Sequence, residues 1–388
     1  RDLGNDFAFS IGYNGVKGAH LNRPRNINIA NQTLLIANAD NAIAVGLFAP
    51  GSDPRGVAVP VANPGFCALF IPATFCLTAT GIPIATPAAF NFFRDTGPNF
   101  ALTGGLGIPD ASIVAVAQLA GYPVGSGMFV PFGDVDVQES TGASIYHGLT
   151  VTFRKRYSRH YQFLGSYTWS HAIDDSTDLQ TLLEPQDSRN PQLERSDSTF
   201  DQRHRLVFSA VFESPYSQQD SGFWRKFFAN FTVAPIFQAS SGRPFTLLTG
   251  RDLNLDFASS TDRPSVVPVG TPGSVTSPFI DGQAFGLPTV CPTTTTALTF
   301  PFGCEGTLRR NTAKRPEIWN LDLRVSRGFF WGERWSFEFI ADLFNVFNRF
   351  NVADVNPLCD PIGGVCNAGE PTAAMATRQL QIGIKLNW

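Results

Sequence analysis

The sequence predicts an all-β fold of about eight antiparallel strands, and three observations support this. Apolar and polar residues alternate with a period of two in eight segments, which is typical of strands with one apolar and one polar face. The chain holds 35 phenylalanines and 35 glycines but only 16% charged residues, a composition that favours strands and turns. The connections between the eight segments alternate between long and short.

Each of the eight segments is about ten residues long, the length that a tilted strand needs to cross a bilayer. In chain order they lie at about 7–13, 145–154, 161–170, 206–212, 227–238, 319–326, 335–343 and 380–388. Pro235 lies inside the fifth segment, where it removes one hydrogen bond between strands. We therefore expect a bulge or a weaker strand there.

The connections favour a membrane barrel over a soluble sandwich. Long connections cover about 20–143, 172–200, 247–317 and 348–377, and short ones cover about 156–160, 214–226 and 328–334. Outer-membrane barrels have long extracellular loops and short periplasmic turns, whereas a secreted β-sandwich has no reason to sort its loops. We predict an antiparallel transmembrane β-barrel segment in a cell outer membrane of the Gram-negative type, with both chain ends on the periplasmic side. A secreted sandwich that binds a ligand is an alternative, but the lipid-facing apolar stripes argue against it.

The tryptophans lie at the ends of the predicted strands. Trp224, Trp331, Trp335 and Trp388 fall at the periplasmic ends, and Trp169 and Trp319 fall at the opposite ends. This distribution predicts two interfacial aromatic girdles, although tryptophans can also gather near turns by chance. Basic residues in the short connections, such as Lys155, Arg225 and Lys226, are expected either to meet anionic lipid or to be ordinary solvated charges.

The six cysteines form three close pairs, all in predicted long loops. The pairs are Cys67/Cys76, Cys291/Cys304 and Cys359/Cys366, and none has the CxxC spacing of a zinc or redox site. We predict local disulfides in an oxidising compartment. Free thiols and pairing across loops are the alternatives.

Six stretches of the sequence are similar to one known family. They are IYHGLTVTFRKRYSR (145–159), QFLGSYTWSHAIDDS (162–176), FDQRHRLVFSAVF (200–212), SGRPFT (241–246), NLDLRVSRGFFWGER (320–334) and FEFIADLFNVFNRFNV (337–352). In this order they resemble the C-terminal barrel of TonB-dependent outer-membrane receptors, and within them the Oar-like subgroup, which carries a carboxypeptidase-regulatory-like domain. The resemblance runs from about residue 5 to residue 388 and is weak in the loops at 20–143 and 247–317.

The resemblance implies a receptor barrel engaged in TonB-dependent uptake of a small molecule, a glycan or a peptide. Such receptors close 22 strands around an N-terminal plug, so residues 1–388 are expected to be the C-terminal part, with the plug and the N-terminal domains that contact TonB absent. It also implies that the barrel-assembly machinery reads the last strand through its apolar stripe, Leu380, Ile382, Ile384, Leu386 and Trp388. The alternative is a self-contained eight-stranded barrel with a structural or adhesin role, closed by pairing 7–13 with 380–388.

No catalytic, cofactor or metal site is predicted. Asp252, Asn254 and Asp256 alternate as in a calcium loop, but Phe257 and Arg263 occupy positions that require Gly and Glu, so we expect a carboxylate-rich surface turn. The acidic stretch 174–201 is expected to be a solvated loop, with rim salt bridges or lipopolysaccharide-bridging ions as an alternative.

The five histidines lack metal-site spacing, and we find no nucleophile motif, so the protein is not expected to be an enzyme. A net charge of −3 argues against a nucleic-acid partner; the expected partners are outer-membrane lipid and lipopolysaccharide.

Overall fold

One large antiparallel sheet forms a wall whose strands follow one another in chain order. The computed structural model describes residues 2–4, 6–27, 29, 32–33, 36, 40, 43, 49–51, 136–176, 184–256, 261–331 and 335–388. The long strands of the wall are β2 (Phe7–Asn26), β3 (Asp136–Ser158), β4 (Tyr161–Asp174), β6 (His204–Glu213), β7 (Phe231–Ser240), β13 (Ile318–Trp331), β14 (Trp335–Phe344) and β19 (Gln379–Asn387). At one side β1 (Asp2–Gly4) pairs with β2, and β5 (Ser196–Asp197) pairs with the end of β4. The prediction of about eight antiparallel strands is confirmed.

Short connections join the strands at one end of the wall, which we call the short-turn end. Arg159 and His160 connect β3 to β4, and both have positive φ angles (51° and 68°), as a two-residue hairpin with a type I′ turn requires. The connection from β6 to β7 contains a short helix, α1 (Phe223–Phe227). No helix among the described residues is long and apolar enough to span a membrane.

The first hairpin of the wall is longer than the sequence pattern predicts. Strands of about ten residues were expected, but β2 has 20 residues and β3 has 23. Beyond Tyr13 the alternation weakens because glycine and polar residues take over, yet the two backbones keep pairing as far as Asn26 and Asp136, with register shifts near Leu21. The two strands stay hydrogen-bonded in this region, but the sequence has no alternating apolar residues there from which the strands could be predicted.

Strand β7 also differs from its prediction. It begins at Phe231 rather than Phe227, because Phe227 belongs to α1. Pro235 lies in unbroken register with Leu323 of β13, so the expected bulge is absent on that side. On the other side, β6 and β7 do not pair between Ser209↔Ile236 and Phe212↔Val233, which is where the missing amide of Pro235 interrupts the ladder.

The loops at the opposite, long-loop end pack into a folded layer of their own. We call the described residues of 184–203, 241–317 and 345–378 the long-loop cap. Its short elements are a 3₁₀ turn (Pro191–Glu194), β8 (Pro244–Phe245), β9 (Ser265–Val267), β10 (Val275–Thr276), β11 (Ala284–Gly286), β12 (Ala313–Lys314), β15 (Val352–Val355), β16 (Cys359–Asp360), β17 (Val365–Cys366) and β18 (Pro371–Ala374). Strand β8 pairs with β12, β11 lies between β9 and β10, β15 pairs with β18, and β16 pairs with β17.

The buried apolar core lies in the cap rather than in the wall. Phe285 and Leu247 are almost fully buried there, together with Phe245, Leu308, Val352, Val355, Cys359, Cys366 and Ala368. In the wall, by contrast, apolar side chains such as Ile11, Ile382 and Ile384 are 60% or more exposed. The cap is thus held together as a small globular domain would be, whereas the wall presents its apolar side chains outward.

Candidate functional site

The two faces of the wall differ in chemistry. On one face, which we call the inner face, polar side chains meet across neighbouring strands. Arg324 of β13 binds Asp342 of β14 through two hydrogen bonds of 2.6 and 2.9 Å, and Thr150 contacts Thr168 at 3.2 Å. The opposite, outer face carries the apolar residues of the alternating pattern, many of them more than a third exposed. This arrangement provides a polar surface on one side of the sheet and an apolar one on the other.

The stripe at the end of the chain lies on the outer face of the last strand. Leu380, Ile382, Ile384 and Leu386 lie opposite Leu343, Ala341, Phe339 and Phe337 of β14. All four are about 60% exposed and Trp388 is 84% exposed. In the described part of the chain, β19 pairs with β14 alone and β2 pairs with β1 and β3. A self-contained eight-stranded barrel requires segment 7–13 to pair with segment 380–388. This pairing is not present in the described residues.

Aromatic side chains cluster on the short-turn end. Trp331 and Trp335 lie opposite each other at the last paired position of β13 and β14, and Phe329 stacks on Phe337 with ring centres 4.6 Å apart. The guanidinium of Arg327 lies 4.7 Å from the ring centre of Phe329.

The other predicted girdle tryptophans lie in three different elements. Trp224 is in α1, where it contacts Phe223, Phe227 and Phe228. Trp319 is the second residue of β13, at the long-loop end, whereas Trp169 lies five residues before the long-loop end of β4.

A buried network of ion pairs ties the loops of the cap to the wall. Glu194 binds Arg263 through two hydrogen bonds of 2.7 and 2.8 Å, and Arg310 reaches the carboxylate of Asp174 at the end of β4. All four residues are at least nine-tenths buried. Burial acts to raise the pKa of Glu194, but the hydrogen bonds and charge of Arg263 outweigh it and lower that pKa overall.

The prediction that 174–201 is a solvated acidic loop is therefore wrong for its key members. Asp174, Glu194 and Asp201 are buried, and each is paired or hydrogen-bonded. Arg203 also pairs with Asp201, at 3.3 Å. The nearby pair of Arg203 and Asp201 agrees with the alternative of salt bridges within this stretch. The partners of Glu194 and Asp174, Arg263 and Arg310, lie in a distant loop that the local sequence does not reveal.

The acidic residues of the expected surface turn at 251–264 are also buried, as far as the structure describes that turn (251–256 and 261–264). Asp252, Asn254, Asp256 and Asp262 are each at most 3% exposed. Oδ2 of Asp262 accepts hydrogen bonds from the backbone amides of Leu253 and Asn254. Burial, with the nearby charges of Asp252 and Asp256, raises the pKa of Asp262 well above its usual value. Among the described residues, no group of three or more His, Cys, Asp or Glu side chains is arranged to hold a metal ion.

Two disulfides lie in the cap. One joins Cys291 to Cys304, and the other joins Cys359 to Cys366 across the paired strands β16 and β17. Cys304 and Cys359 are fully buried. Cys67 and Cys76 lie outside the described residues.

A cavity of about 660 Å³ lies where the wall meets the cap. It is lined by the long-loop ends of β6, β7, β13, β14 and β19 and by the cap segments that leave them. Arg205, Arg243 and Arg315 line it together with one carboxylate, that of Asp322. Its charged lining residues come from quoted stretches that are far apart in the sequence: Arg205 lies in FDQRHRLVFSAVF, Arg243 in SGRPFT and Asp322 in NLDLRVSRGFFWGER. No local pattern in these stretches predicts the cavity.

The fold agrees with the comparison of the sequence with known families. Residues 1–381 match the family described as outer membrane beta barrel domain. The chain belongs to this family. The predictions of a transmembrane β-barrel fold and of an outer-membrane location are thereby confirmed.

Comparison with solved structures gave a weaker match. The crystal structure of the outer membrane transporter YddB from Escherichia coli matches at 8% identity with a TM-score of 0.33. The match covers 66% of this chain and 27% of that transporter chain, so it spans about a quarter of the transporter's length. Comparison with curated proteins gave no match.

Proposed function

We propose that this outer-membrane barrel protein is a receptor and transporter that takes up its substrate in a TonB-dependent manner. The observation that carries the proposal is the cavity between the wall and the cap, which has three arginines in its lining and adjoins the polar inner face of the wall. Polar residues that line one face of a membrane wall provide a path for a hydrophilic solute, and a folded cap provides a surface to capture it. In this proposal the long-loop end faces the cell exterior.

The packing of the cap supports a role in capturing the substrate. Its loops bury an apolar core around Phe285 and are connected by the ion pairs of Glu194, Arg263 and Arg310. Binding residues on a rigid scaffold lose less conformational entropy when a ligand binds. The proposal assigns no catalytic step to the protein.

The partners proposed follow from the same arrangement. The exposed apolar outer face is assigned to lipid, and the cap rim to lipopolysaccharide. The stripe of β19 is assigned to recognition by the barrel-assembly machinery during insertion.

The test compares three strains of the native host: the parent, a strain lacking this protein, and a strain lacking TonB. The strains grow in a complex medium, and mass spectrometry follows which solutes disappear from it. We expect at least one solute to be consumed by the parent and left by both deletion strains. If consumption of a solute requires this protein but not TonB, the proposed coupling to TonB is contradicted. If all three strains consume every solute equally, the proposed uptake is contradicted.

A structural or adhesin role of this barrel is the competing proposal. It predicts that uptake is unchanged in the deletion strain while cell-surface adhesion or detergent resistance falls.

A further inference from the structure

The cavity between the wall and the cap is built around a close approach of two cap segments. Gly242 precedes β8 and lies against Arg315, which follows β12, so that a Cβ added to Gly242 would overlap the Arg315 carbonyl. The amide of Arg315 donates to the carbonyl of Arg243 at 3.0 Å. Only glycine allows this contact, which sets both arginines at the cavity wall.

The three arginines of the cavity are not equivalent. Arg315 is held by Asp354 at 2.9 Å and donates to the carbonyl of Ala353 at 3.1 Å. Arg205 and Arg243 are exposed, and neither side chain has a hydrogen-bond or ion-pair partner among the described residues. The cavity therefore presents two uncompensated guanidinium groups.

The single carboxylate of the cavity does not neutralise these groups. Asp322 accepts hydrogen bonds from Nδ2 of Asn320 at 2.7 Å and from the backbone amide of Asn345 at 2.9 Å. The amide groups of Asn320 and Asn345, rather than an arginine, therefore stabilise the negative charge of Asp322. Because Arg315 is paired with Asp354, the described lining sets two unpaired arginines, Arg205 and Arg243, against this one carboxylate.

Amide side chains form much of the remaining polar lining. Asn345 and Asn351 are at least nine-tenths buried and are fixed by bonds to backbone groups, including those of Arg349 and Trp319. In contrast, Oδ1 of Asn320 is buried without a hydrogen-bond partner.

We propose that this cavity binds an anionic carbohydrate, with its carboxylate or phosphate between Arg205 and Arg243 and its sugar hydroxyls against the amide side chains of the lining. Guanidinium groups bind carboxylate and phosphate in a fixed two-point geometry, and amides suit sugar hydroxyls. A volume of about 660 Å³ fits a ligand of disaccharide size. This inference names the ligand class of the proposed receptor and deepens that proposal.

The test measures binding to the protein expressed from its complete gene and purified in detergent. Isothermal titration calorimetry compares digalacturonate and a phosphorylated disaccharide with the neutral galactobiose. We expect both anionic probes to bind and the neutral one to bind at least tenfold more weakly. Arg205→Ala and Arg243→Ala should each weaken anion binding about tenfold or more, because each removes one charged hydrogen-bond donor pair.

The matched control is Arg309→Ala, which removes an exposed arginine of the cap that does not line the cavity. Its affinity should equal that of the unaltered protein. Equal binding of charged and neutral disaccharides, unchanged affinity in both Arg205→Ala and Arg243→Ala, or no binding of either anionic probe would overturn the inference. Binding that persists while uptake proves independent of TonB would contradict the proposed transport mechanism and leave the ligand class intact.

Discussion

The carboxylate of Glu194 and the guanidinium of Arg263 form a buried two-point ion pair, although 69 residues separate them in the sequence. Glu194 ends the 3₁₀ turn of one long loop, and Arg263 belongs to the next long loop. Arg310 joins the pair by donating to the backbone carbonyl of Glu194 at 3.1 Å. Charges removed from water in this way stabilise a fold only while every partner is present.

Removing one member of this pair should therefore destabilise the cap. We expect Glu194→Gln to reduce the free energy of cap unfolding by about 3–5 kcal/mol, because Arg263 stays buried without its counter-charge. Limited proteolysis under native conditions should cut the variant's cap much faster, since cleavage follows the population of the open form.

The control for this prediction is an exposed ion pair of the same kind. Glu317 lies 3.4 Å from Arg349 and its side chain is 71% exposed. Glu317→Gln should change stability by no more than about 1 kcal/mol. Equal cleavage rates for Glu194→Gln and Glu317→Gln would show that the buried pair does not hold the cap.

The cap should also be more stable in mild acid, through Glu305. Burial, and then the charge and hydrogen bond of Asp187, raise the pKa of Glu305 to about 7, while Arg189 and Arg263 act to lower it. Since the folded value exceeds the unfolded one, this contribution is complete below about pH 4.5 and disappears as the pH rises through about 7. We expect protease resistance of the cap to fall between pH 5 and pH 8.

The variant Glu305→Gln isolates this effect. It keeps a hydrogen-bond donor toward Asp187 but cannot ionise, so it should flatten the change between pH 5 and pH 8. The pKa of Asp262 is also raised, but Asp262 is present in both proteins. Its contribution to the pH dependence is therefore the same in both and cancels when the two profiles are compared. A pH profile of Glu305→Gln identical to that of the unaltered protein would assign the dependence to another group.

The close contact at Gly242 should tolerate no side chain. In Gly242→Ala the new Cβ would displace the backbone of Arg315, so that the paired strands β8 and β12 must separate. We expect a cap more sensitive to protease and a loss of anion binding, measured by calorimetry. Gly12→Ala is the control, because a Cβ there has nothing within 4 Å. Normal binding by Gly242→Ala would mean that the contact does not shape the cavity.

The wall could be predicted from the sequence, but the cap could not. Alternation in segments such as 335–343 is a local signal, because each residue's face follows from its position in the strand. The burial of Asp252 and Glu194 depends on partners in distant segments, so their sequences looked like solvated turns. The cavity was missed for the same reason. Arg205 and Arg243 lie 38 residues apart, and only the sheet and the cap place both on one lining.

The aromatic ring of Trp388 should govern insertion into the membrane. Trp388 follows β19 at the short-turn end, where an acidic side chain costs little free energy in the bilayer interface. If the assembly machinery reads this residue, Trp388→Asp or its deletion should nevertheless reduce the folded fraction severalfold. Heat-modifiable migration of outer-membrane extracts on gels measures that fraction. Asn387→Asp, an adjacent change on the opposite face of the strand, should insert normally. Normal insertion of Trp388→Asp would contradict the assembly role, while equal failure of Asn387→Asp would point to the added charge rather than the lost aromatic ring.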